Sequence, residues 1–203
     1  MKIICVGRNY VDHIKELSND KPTDPVIFIK PDTALLDASQ AFYYPAFSTD
    51  VHYELELVFR VAKVGKNIQA EFAHKYIDAV GLGIDFTARD IQSRLKDKGL
   101  PWEKAKAFNG SAFVSTLRPL TESDFTNSID FELLKNNVSV QKGDSDLMIW
   151  NICELIADIS QYFTLKTGDY IFTGTPAGVG PVQKGDQLTG LLQGNKLFEL
   201  AIK

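Results

Sequence analysis

The sequence contains few cysteines, no run of basic residues and no long hydrophobic segment. Its 203 residues include two cysteines, Cys5 and Cys153, both in apolar surroundings. Two such thiols indicate a reducing compartment and argue against a disulfide framework or a thiolate metal site. The formal net charge is −4. Without a basic run, the chain carries no electrostatic footprint for nucleic acid or for an anionic membrane, so we expect neither as a partner.

Targeting signals and repeats are also missing from the sequence. The apolar run in MKIICVG is too short for a signal peptide, and no segment approaches the roughly 20 apolar residues of a membrane span. We therefore expect a cytoplasmic protein. Hydrophobic residues make up 44% of the chain, which is enough for a core that needs no disulfide bond or structural metal ion to be stable. We predict a single catalytic domain over residues 1–203.

The most informative stretch is VHYELELVFRVA, at residues 51–62. Alternation predicts a β-strand there, with one apolar face and with Glu54, Glu56 and Val58 on the other face. Two glutamates at this spacing are most often ordinary solvated charges. Because Val58 is apolar and in step with them, we expect burial of both faces, where carboxylates must be protonated, paired or bound to a cation.

A third acid completes a candidate metal site. Asp85 follows a small apolar strand predicted over residues 77–84 and stands directly before a predicted helix. Three buried carboxylates repel one another unless a divalent ion offsets their charge. Ligation by oxygen alone favours Mg²⁺ or Mn²⁺ over zinc. The sequence therefore predicts that Glu54, Glu56 and Asp85 hold a hard metal ion with positions open for substrate and water.

A candidate acid–base pair lies on the first predicted helix, which follows a strand at residues 2–6 and has Asn9 as its expected N-cap. His13 and Glu16 are three residues apart on one face, where the carboxylate can hydrogen-bond the imidazole and raise its basicity. The alternative is a surface pair that merely decorates the helix. The polar residues 18–25 that follow are a candidate lid.

Several residues could bind an anionic substrate. Arg89 and Gln92 are three apart in the first turns of a helix predicted from a T-x-x-D start, although a solvated helix face is the alternative. Lys106 stands among alanines, so we expect it to be buried against a negative charge. The glycine-rich loop at residues 174–180 can present amides and the Thr175 hydroxyl to a carboxylate.

Together, these residues form an open hard-metal site, an acid–base pair, a lysine suited to an oxyanion, and groups that grip anions. Such a set suits chemistry that passes through the enolate of a 2-oxo acid. The chain also carries a series of longer motifs, in the order GRNY, FIKP, YELEL, DFTARDIQ, GLPW, KAF and TGTPAGVG.

The order and spacing of these motifs resemble the fumarylacetoacetate hydrolase family over nearly the whole chain. They are most similar to its short branch of acylpyruvate hydrolases and oxaloacetate decarboxylases. The resemblance implies an α+β fold, a mixed β-sheet roll with a few flanking helices, in a homodimer that binds Mg²⁺ or Mn²⁺. One departure is FNGSA at residues 108–112, where many members have a run like FDTSC. This departure affects the shape of the pocket and hence the substrate.

The resemblance also implies a role for each candidate residue. In this reading Glu54, Glu56 and Asp85 bind the metal, His13 with Glu16 activates water, Lys106 stabilises the oxyanion, and Arg89, Gln92 and Thr175 contact the substrate.

The predicted activity is hydrolysis of a carbon–carbon bond in an acylpyruvate, a 2,4-dioxo acid, through a metal-bound pyruvate enolate. Decarboxylation of oxaloacetate and isomerisation of 2-hydroxyhepta-2,4-diene-1,7-dioate rank second and third, since they have less need of a water-activating pair. The alternative outside the enzymes is a protein that binds a metal or small acid without catalysis. The sequence gives it little support, because the acids, the acid–base pair and the lysine are all present.

Overall fold

The computed structural model of the protein describes residues 1–17 and 20–203. Most elements are β-strands: β1 (Lys2–Gly7), β2 (Val26–Pro31), β3 (Val51–Tyr53), β4 (Leu55–Val61), β5 (Ile77–Asp85), β6 (Thr87–Ala88), β7 (Ala112–Val114), β8 (Arg118–Pro119), β9 (Asp130–Lys135), β10 (Val138–Asp144), β11 (Tyr170–Phe172), β12 (Gly180–Pro181), β13 (Gln187–Leu192) and β14 (Asn195–Ala201). The helices are short: α1 (Val11–Glu16), α2 (Ala70–Ala73), α3 (Arg89–Asp97), α4 (Glu103–Lys106) and α5 (Ile152–Tyr162), with 3₁₀ turns at Asp32–Ala34, His74–Tyr76, Glu122–Phe125 and Ser145–Leu147.

The strands of the described residues form three sheets. The largest has the order β2-β1-β11-β4-β5-β7, with β8 also paired to β5. In it β1 runs parallel to β11, whereas the other neighbours are antiparallel. The smaller sheets have the orders β10-β9-β13-β14 and β12-β3-β6. This mixture of strand directions, with few helices, confirms the predicted α+β fold.

The predicted glutamate strand is confirmed with one interruption, because Glu54 separates β3 from β4. Leu57 lies in the main hydrophobic core, while Val58, on the opposite face, packs in a second cluster with Cys5 and Phe172. Leu57 and Val58 are both fully buried, as expected for a strand covered on both faces. Burying each such side chain contributes about 1.5–3 kcal/mol, which holds β4 firmly in the sheet.

Helix α5 carries most of an apolar stripe that steps by three and four residues through residues 149–163. Ile156 and Ile159 are fully buried in the main core. The helix starts later than the stripe because the Asn151 side chain accepts hydrogen bonds from the Cys153 and Glu154 amides, while the Glu154 side chain accepts one from Asn151 N. This capping box fixes the first turn, and an N-cap of this kind contributes about 1 kcal/mol.

Three local predictions were wrong, and contacts distant in sequence overrode two of them. Asn9 does not cap α1, because its side chain hydrogen-bonds Trp150 and the Thr173 carbonyl in the protein interior. Thr87 does not begin a helix, since it pairs with β3 as part of β6. Helical spacing over residues 69–76 predicts that Phe72 faces inward, whereas Phe72 is 45% exposed.

The structure does not test some of the predictions made from the sequence. The candidate lid covers residues 18–25, of which Ser18 and Asn19 lie outside the described residues. Among the residues described, no helix has the length and apolar character needed to cross a membrane. The single-domain organisation and the cytoplasmic location stay predictions.

Candidate active site

Four strand ends meet at one edge of the large sheet. Because β1 and β11 are parallel, the loops that follow them leave at the same edge. Strand β4 is antiparallel to β11 and begins there, and β5 is antiparallel to β4 and ends there. The sheet therefore collects the GRNY loop, the TGTP loop, the two glutamates and Asp85 in one place.

The three carboxylates converge as predicted. Glu54, Glu56 and Asp85, the acidic triad, are 5%, 2% and 1% exposed. One ligand oxygen from each lies within 4.8 Å of the others. Backbone groups position them: the Asp85 amide donates to the Glu54 carbonyl at 2.9 Å, and the Gly174 amide donates to Glu56 Oε2 at 2.7 Å.

Lys106 is buried against the triad, as expected from its apolar sequence context. Its ammonium donates to Glu54 Oε2 at 2.8 Å, to Asp85 Oδ2 at 2.7 Å and to Thr87 Oγ1 at 2.6 Å. These three bonds use all three protons of the ammonium. To stabilise a substrate oxyanion, Lys106 would have to exchange one of these acceptors for the substrate, so that role stays a prediction.

The carboxylates of the site differ in how far nearby cations offset their negative charge. Burial raises the pKa of Glu54, but the cationic Lys106 and Arg89 outweigh burial and leave its pKa lowered. Burial lowers the pKa of Lys106, but the carboxylates of Asp85 and Glu54 outweigh burial and leave that pKa raised. For Glu56, burial followed by the charges of Asp85 and Glu54 raises the pKa well above its ordinary value. Glu56 is thus the triad member that protein cations compensate least.

The donor set fits a hard divalent cation. All three ligands are carboxylate oxygens, the preferred ligands of Mg²⁺ and Mn²⁺. Asp85 Oδ1 is buried and accepts no aligned hydrogen bond within the described structure, and the Lys30 ammonium lies 2.5 Å from it as an ion pair. The triad could therefore hold a metal ion.

The acid–base pair is formed in the structure. His13 Nδ1 lies 3.0 Å from Glu16 Oε2, and the other oxygen of Glu16 accepts a hydrogen bond from the Gly178 amide at 3.0 Å. His13 is only 6% exposed, so the pair is not surface decoration even though Glu16 reaches solvent. With Nδ1 engaged, Nε2 is the ring nitrogen left for proton transfer.

Gly178 makes this arrangement possible. Its φ is +100°, and a Cβ at this position would lie 2.2 Å from the Val140 carbonyl oxygen. Glycine alone tolerates both the left-handed backbone and the close approach, so the loop can bring its amide to Glu16.

Arg89 and Gln92 act as a unit rather than as a solvated helix face. Arg89 Nη2 donates to Glu54 Oε1 at 2.5 Å and Nη1 donates to Gln92 Oε1 at 2.5 Å. Arg89 Nε is buried and has no hydrogen-bond partner among the described residues, so it remains available to an anionic ligand. Thr175 differs, because its hydroxyl donates to the Leu55 carbonyl at 2.8 Å. The predicted substrate contacts of these three residues stay predictions.

A single pocket brings the predicted residues together. It opens to solvent, and the space between its walls is about 500 Å³ when the open mouth is included. Of the nine predicted site residues, Glu16 alone does not line this pocket, and it acts through its bond to His13. We call this space the site pocket; its other lining residues include Arg8, Phe28, Lys96 and Trp102.

Sequence reasoning missed two buried residues that support the site. Lys30 is fully buried, and its ammonium lies 2.5 Å from Asp85 Oδ1, as an ion pair without hydrogen-bond alignment. A lysine at the end of an apolar strand, in the FIKP motif, was the signal that could have revealed it. Gln141 accepts from the Leu55 amide and donates to Thr175 Oγ1 and the Pro176 carbonyl. No local sequence signal marked Gln141.

Comparison with known proteins agrees with this geometry. Residues 2–200 match the family described as fumarylacetoacetate (FAA) hydrolase C-terminal. The oxaloacetate tautomerase YcgM of Escherichia coli (strain K12) is 43% identical over 199 residues, 97% of this chain and 90% of that protein. A mitochondrial oxaloacetate decarboxylase of Dictyostelium discoideum is 38% identical over 185 residues, 91% of this chain and 85% of that protein.

A solved structure provides the third comparison. The crystal structure of fumarylpyruvate hydrolase from Pseudomonas aeruginosa, in complex with Mn²⁺ and pyruvate, superposes with a TM-score of 0.93 at 33% identity. The match covers 100% of this chain and 89% of that chain.

Proposed function

The chain is an enzyme of the fumarylacetoacetate hydrolase family, and from that premise we propose that it is an oxaloacetate tautomerase, which interconverts the enol and keto forms of this 2-oxo dicarboxylate. The observation that carries the proposal is a buried histidine, hydrogen-bonded to a glutamate, that shares one pocket with three convergent carboxylates. Such a pocket combines a base with a place for a chelating 2-oxo acid.

The acidic triad would hold Mg²⁺ or Mn²⁺, which when bound supplies Lewis-acid stabilisation of negative charge on the carboxylate and 2-oxygen of the substrate. A relative crystallised with Mn²⁺ and pyruvate supports this assignment. Arg89 adds a buried Nε–H donor for the substrate, while its two other nitrogens hold Glu54 and Gln92 in place. The cationic side chain thus favours an anionic ligand.

His13 moves the proton at C3. With Nδ1 donating to Glu16, Nε2 accepts the C3 proton of the keto form. The electron pair of the broken C–H bond forms the double bond between C2 and C3, the carbonyl π pair moves onto the 2-oxygen, and that oxygen takes a proton from water. The imidazolium then gives its proton to the hydroxide that remains, which restores both His13 and water. The reverse sequence returns the keto form. Glu16, itself held by Gly178, stabilises the imidazolium that forms after each proton uptake.

The decisive experiment follows enol-oxaloacetate by its ultraviolet absorbance in the presence of Mg²⁺. General acid–base catalysis contributes about 10²–10⁴-fold, so His13→Ala should lose at least a hundredfold in kcat/KM. Lys15→Ala is the matched control, since Lys15 is exposed on the same helix and its ammonium pairs with Asp12 alone among the described residues. A wild-type protein that does not accelerate enol decay contradicts the proposal, as does full activity of His13→Ala.

Hydrolysis of an acylpyruvate is the second candidate, as the sequence predicted. The observation that favours it is the same acid–base pair, because a histidine oriented by a glutamate can activate water for attack on a 4-carbonyl group. Pyruvate release from acetylpyruvate measures this reaction, and carbon dioxide release measures decarboxylation of oxaloacetate. Under this second candidate, His13→Ala abolishes acylpyruvate cleavage and leaves decarboxylation measurable. Equal loss of both would contradict that division of roles.

A homodimer and a cytoplasmic location belong to the same proposal, since both follow from the sequence and the family resemblance. Size-exclusion chromatography with light scattering tests the first, and cell fractionation tests the second. A monomer at micromolar concentration would contradict the dimer without affecting the catalytic proposal.

A further inference from the structure

Arg8 is a cationic residue of the site pocket that the catalytic scheme does not use. It lines the pocket together with His13 and the acidic triad and is partly buried. Within residues 1–17 and 20–203, its guanidinium forms no hydrogen bond, ion pair or ring contact. Its five N–H donors therefore have no protein acceptor within the described structure.

The backbone of Arg8 is in a conformation that non-glycine residues rarely adopt, with a φ of +61°. Among the described residues, the other non-glycine positions at positive φ are three asparagines and Gln193, none of which lines the site pocket. Asparagine tolerates this region well, whereas arginine does not. Strain of this kind often marks a functional position.

Buried neighbours hold Arg8 in this conformation. Asn9 is fully buried, with its side chain bonded to Trp150 and to the Thr173 carbonyl. Gly174 packs so closely that an added Cβ would lie 3.0 Å from the Val6 carbonyl oxygen. The chain on either side of Arg8 is thus fixed by the interior, and the pocket wall includes its side chain as a consequence of the fold.

The charges around Arg8 favour an anion. Arg8, Arg89 and Lys96 all line the site pocket. Partial desolvation lowers the pKa of Lys96, and the charges of Arg8 and Arg89 lower it further, so the three cations lie close together. Arg89 is paired with Glu54, whereas no carboxylate within the described structure pairs with Arg8. Arg8 is therefore a cation of the pocket lining whose charge no carboxylate of the described residues offsets by an ion pair.

We propose that Arg8 binds the distal carboxylate of a 2-oxo dicarboxylate whose 2-oxo acid end lies at the acidic triad. The inference rests on the proposed function and deepens it, because it makes Arg8 the residue that selects a dicarboxylate over a 2-oxo acid of equal length with an uncharged tail. A planar guanidinium suits this task, since it can bind a carboxylate through two parallel hydrogen bonds.

Calorimetric titration with two unreactive ligands tests the selection directly. In the presence of Mg²⁺, 2-oxoglutarate and 2-oxopentanoate present the same chelating end and differ in the charge of the tail. Since charged hydrogen bonds are the stronger class, the wild type should prefer 2-oxoglutarate about tenfold to hundredfold. Arg8→Asn, which keeps a residue that tolerates positive φ, should erase the preference. Arg8→Lys should keep part of it.

Lys15→Asn is the control for the loss of one positive charge, since Lys15 is exposed on α1 and is no part of the pocket lining. It should retain the wild-type preference. The inference is overturned if the wild type binds the two ligands equally or binds neither, or if Arg8→Asn keeps the preference. Circular dichroism melts of each variant establish that it is folded.

The enol-oxaloacetate assay separates this inference from the function on which it rests. If the wild type tautomerises oxaloacetate and Arg8→Asn leaves its KM unchanged, the role of Arg8 is wrong and the function stands. If the wild type prefers 2-oxoglutarate through Arg8 but does not tautomerise oxaloacetate, the carboxylate contact stands and the proposed function is wrong.

Discussion

Lys30 offers a sharp test of how the protein tolerates three buried acids. Its side chain is fully buried, with the ammonium 2.5 Å from Asp85 Oδ1 and donating to the Ser111 carbonyl at 2.7 Å. Lys30→Met removes the charge and keeps a flexible side chain of similar length. The substitution should therefore leave little cavity, and the change in the free energy of unfolding should measure the loss of the ion pair.

The magnitude follows from the remaining contacts. Removing one partner of a buried ion pair costs about 3–5 kcal/mol, because the other charge stays buried without compensation. Asp85 keeps its hydrogen bond from Lys106, and the Ser111 carbonyl still accepts from the Phe86 amide. We therefore expect a loss near the lower limit, about 3 kcal/mol. For a chain of this size, that corresponds to a fall of roughly 6–12 °C in Tm.

Urea unfolding without divalent ions measures this loss, with Lys15→Met as the exposed control that should change stability by less than about 0.5 kcal/mol. The same variant should bind Mn²⁺ more tightly than the wild type in calorimetric titration, because removal of a cation makes the triad more negative. The free energy of unfolding of Lys30→Met should thus fall while its affinity for Mn²⁺ rises. A loss below about 1 kcal/mol, or weaker Mn²⁺ binding, would refute the reasoning, since a charge-compensating Lys30 requires both effects.

Two further predictions concern the loop that supports Glu16 and an ion pair far from the site. Gly178→Ala should lower kcat at least tenfold, because its Cβ would lie 2.2 Å from the Val140 carbonyl oxygen and push the amide away from Glu16. Enol-oxaloacetate kinetics measure this loss. Gly185→Ala is the control, since Gly185 has a similar left-handed φ of +96° but open space around it. Arg118 lowers the pKa of Asp124 from 3.8 to about 2, so the stability that Asp124 adds over Asp124→Asn should be constant above about pH 5 and disappear as the pH falls toward 2. Urea unfolding of the wild type and of Asp124→Asn over this pH range measures the difference in their free energies of unfolding. A difference that grew as the pH fell would contradict the pairing of Asp124 with Arg118.

Local patterns predicted the elements that carry the acids and failed where distant contacts decide. Alternation with an apolar residue in step was enough to place Glu54 and Glu56 in a strand buried on both faces. The same local reasoning misplaced Asn9, because the partners of its side chain are 141 and 164 residues away. Rules for helix capping use only the residues of the first helical turn, so they take no account of partners so distant in sequence.

The supporting residues of the site were hidden for the same reason. Lys30 meets the Ser111 carbonyl across 81 residues of sequence, and Gln141 meets the Leu55 amide across 86. Neither contact produces a periodic pattern in the amino-acid sequence. The convergence of the acidic triad was predictable because three carboxylates in buried elements are an anomaly in any local context. Of the compensating cations, Lys106 was predicted from its apolar context, whereas Lys30 became visible only when the strands were paired.

Register ties the chemistry of the site to the packing of the sheet. Phe172 of β11 pairs with Val58 of β4, and both are buried in the same small cluster. This pairing places the Gly174 amide opposite Glu56, two residues before Val58 on the same strand face. Because strand side chains alternate, a slip of one residue would turn Glu56 toward the main core and present Leu57 to the cations. The apolar cluster that excludes such a slip therefore also determines which side chains can reach a metal ion.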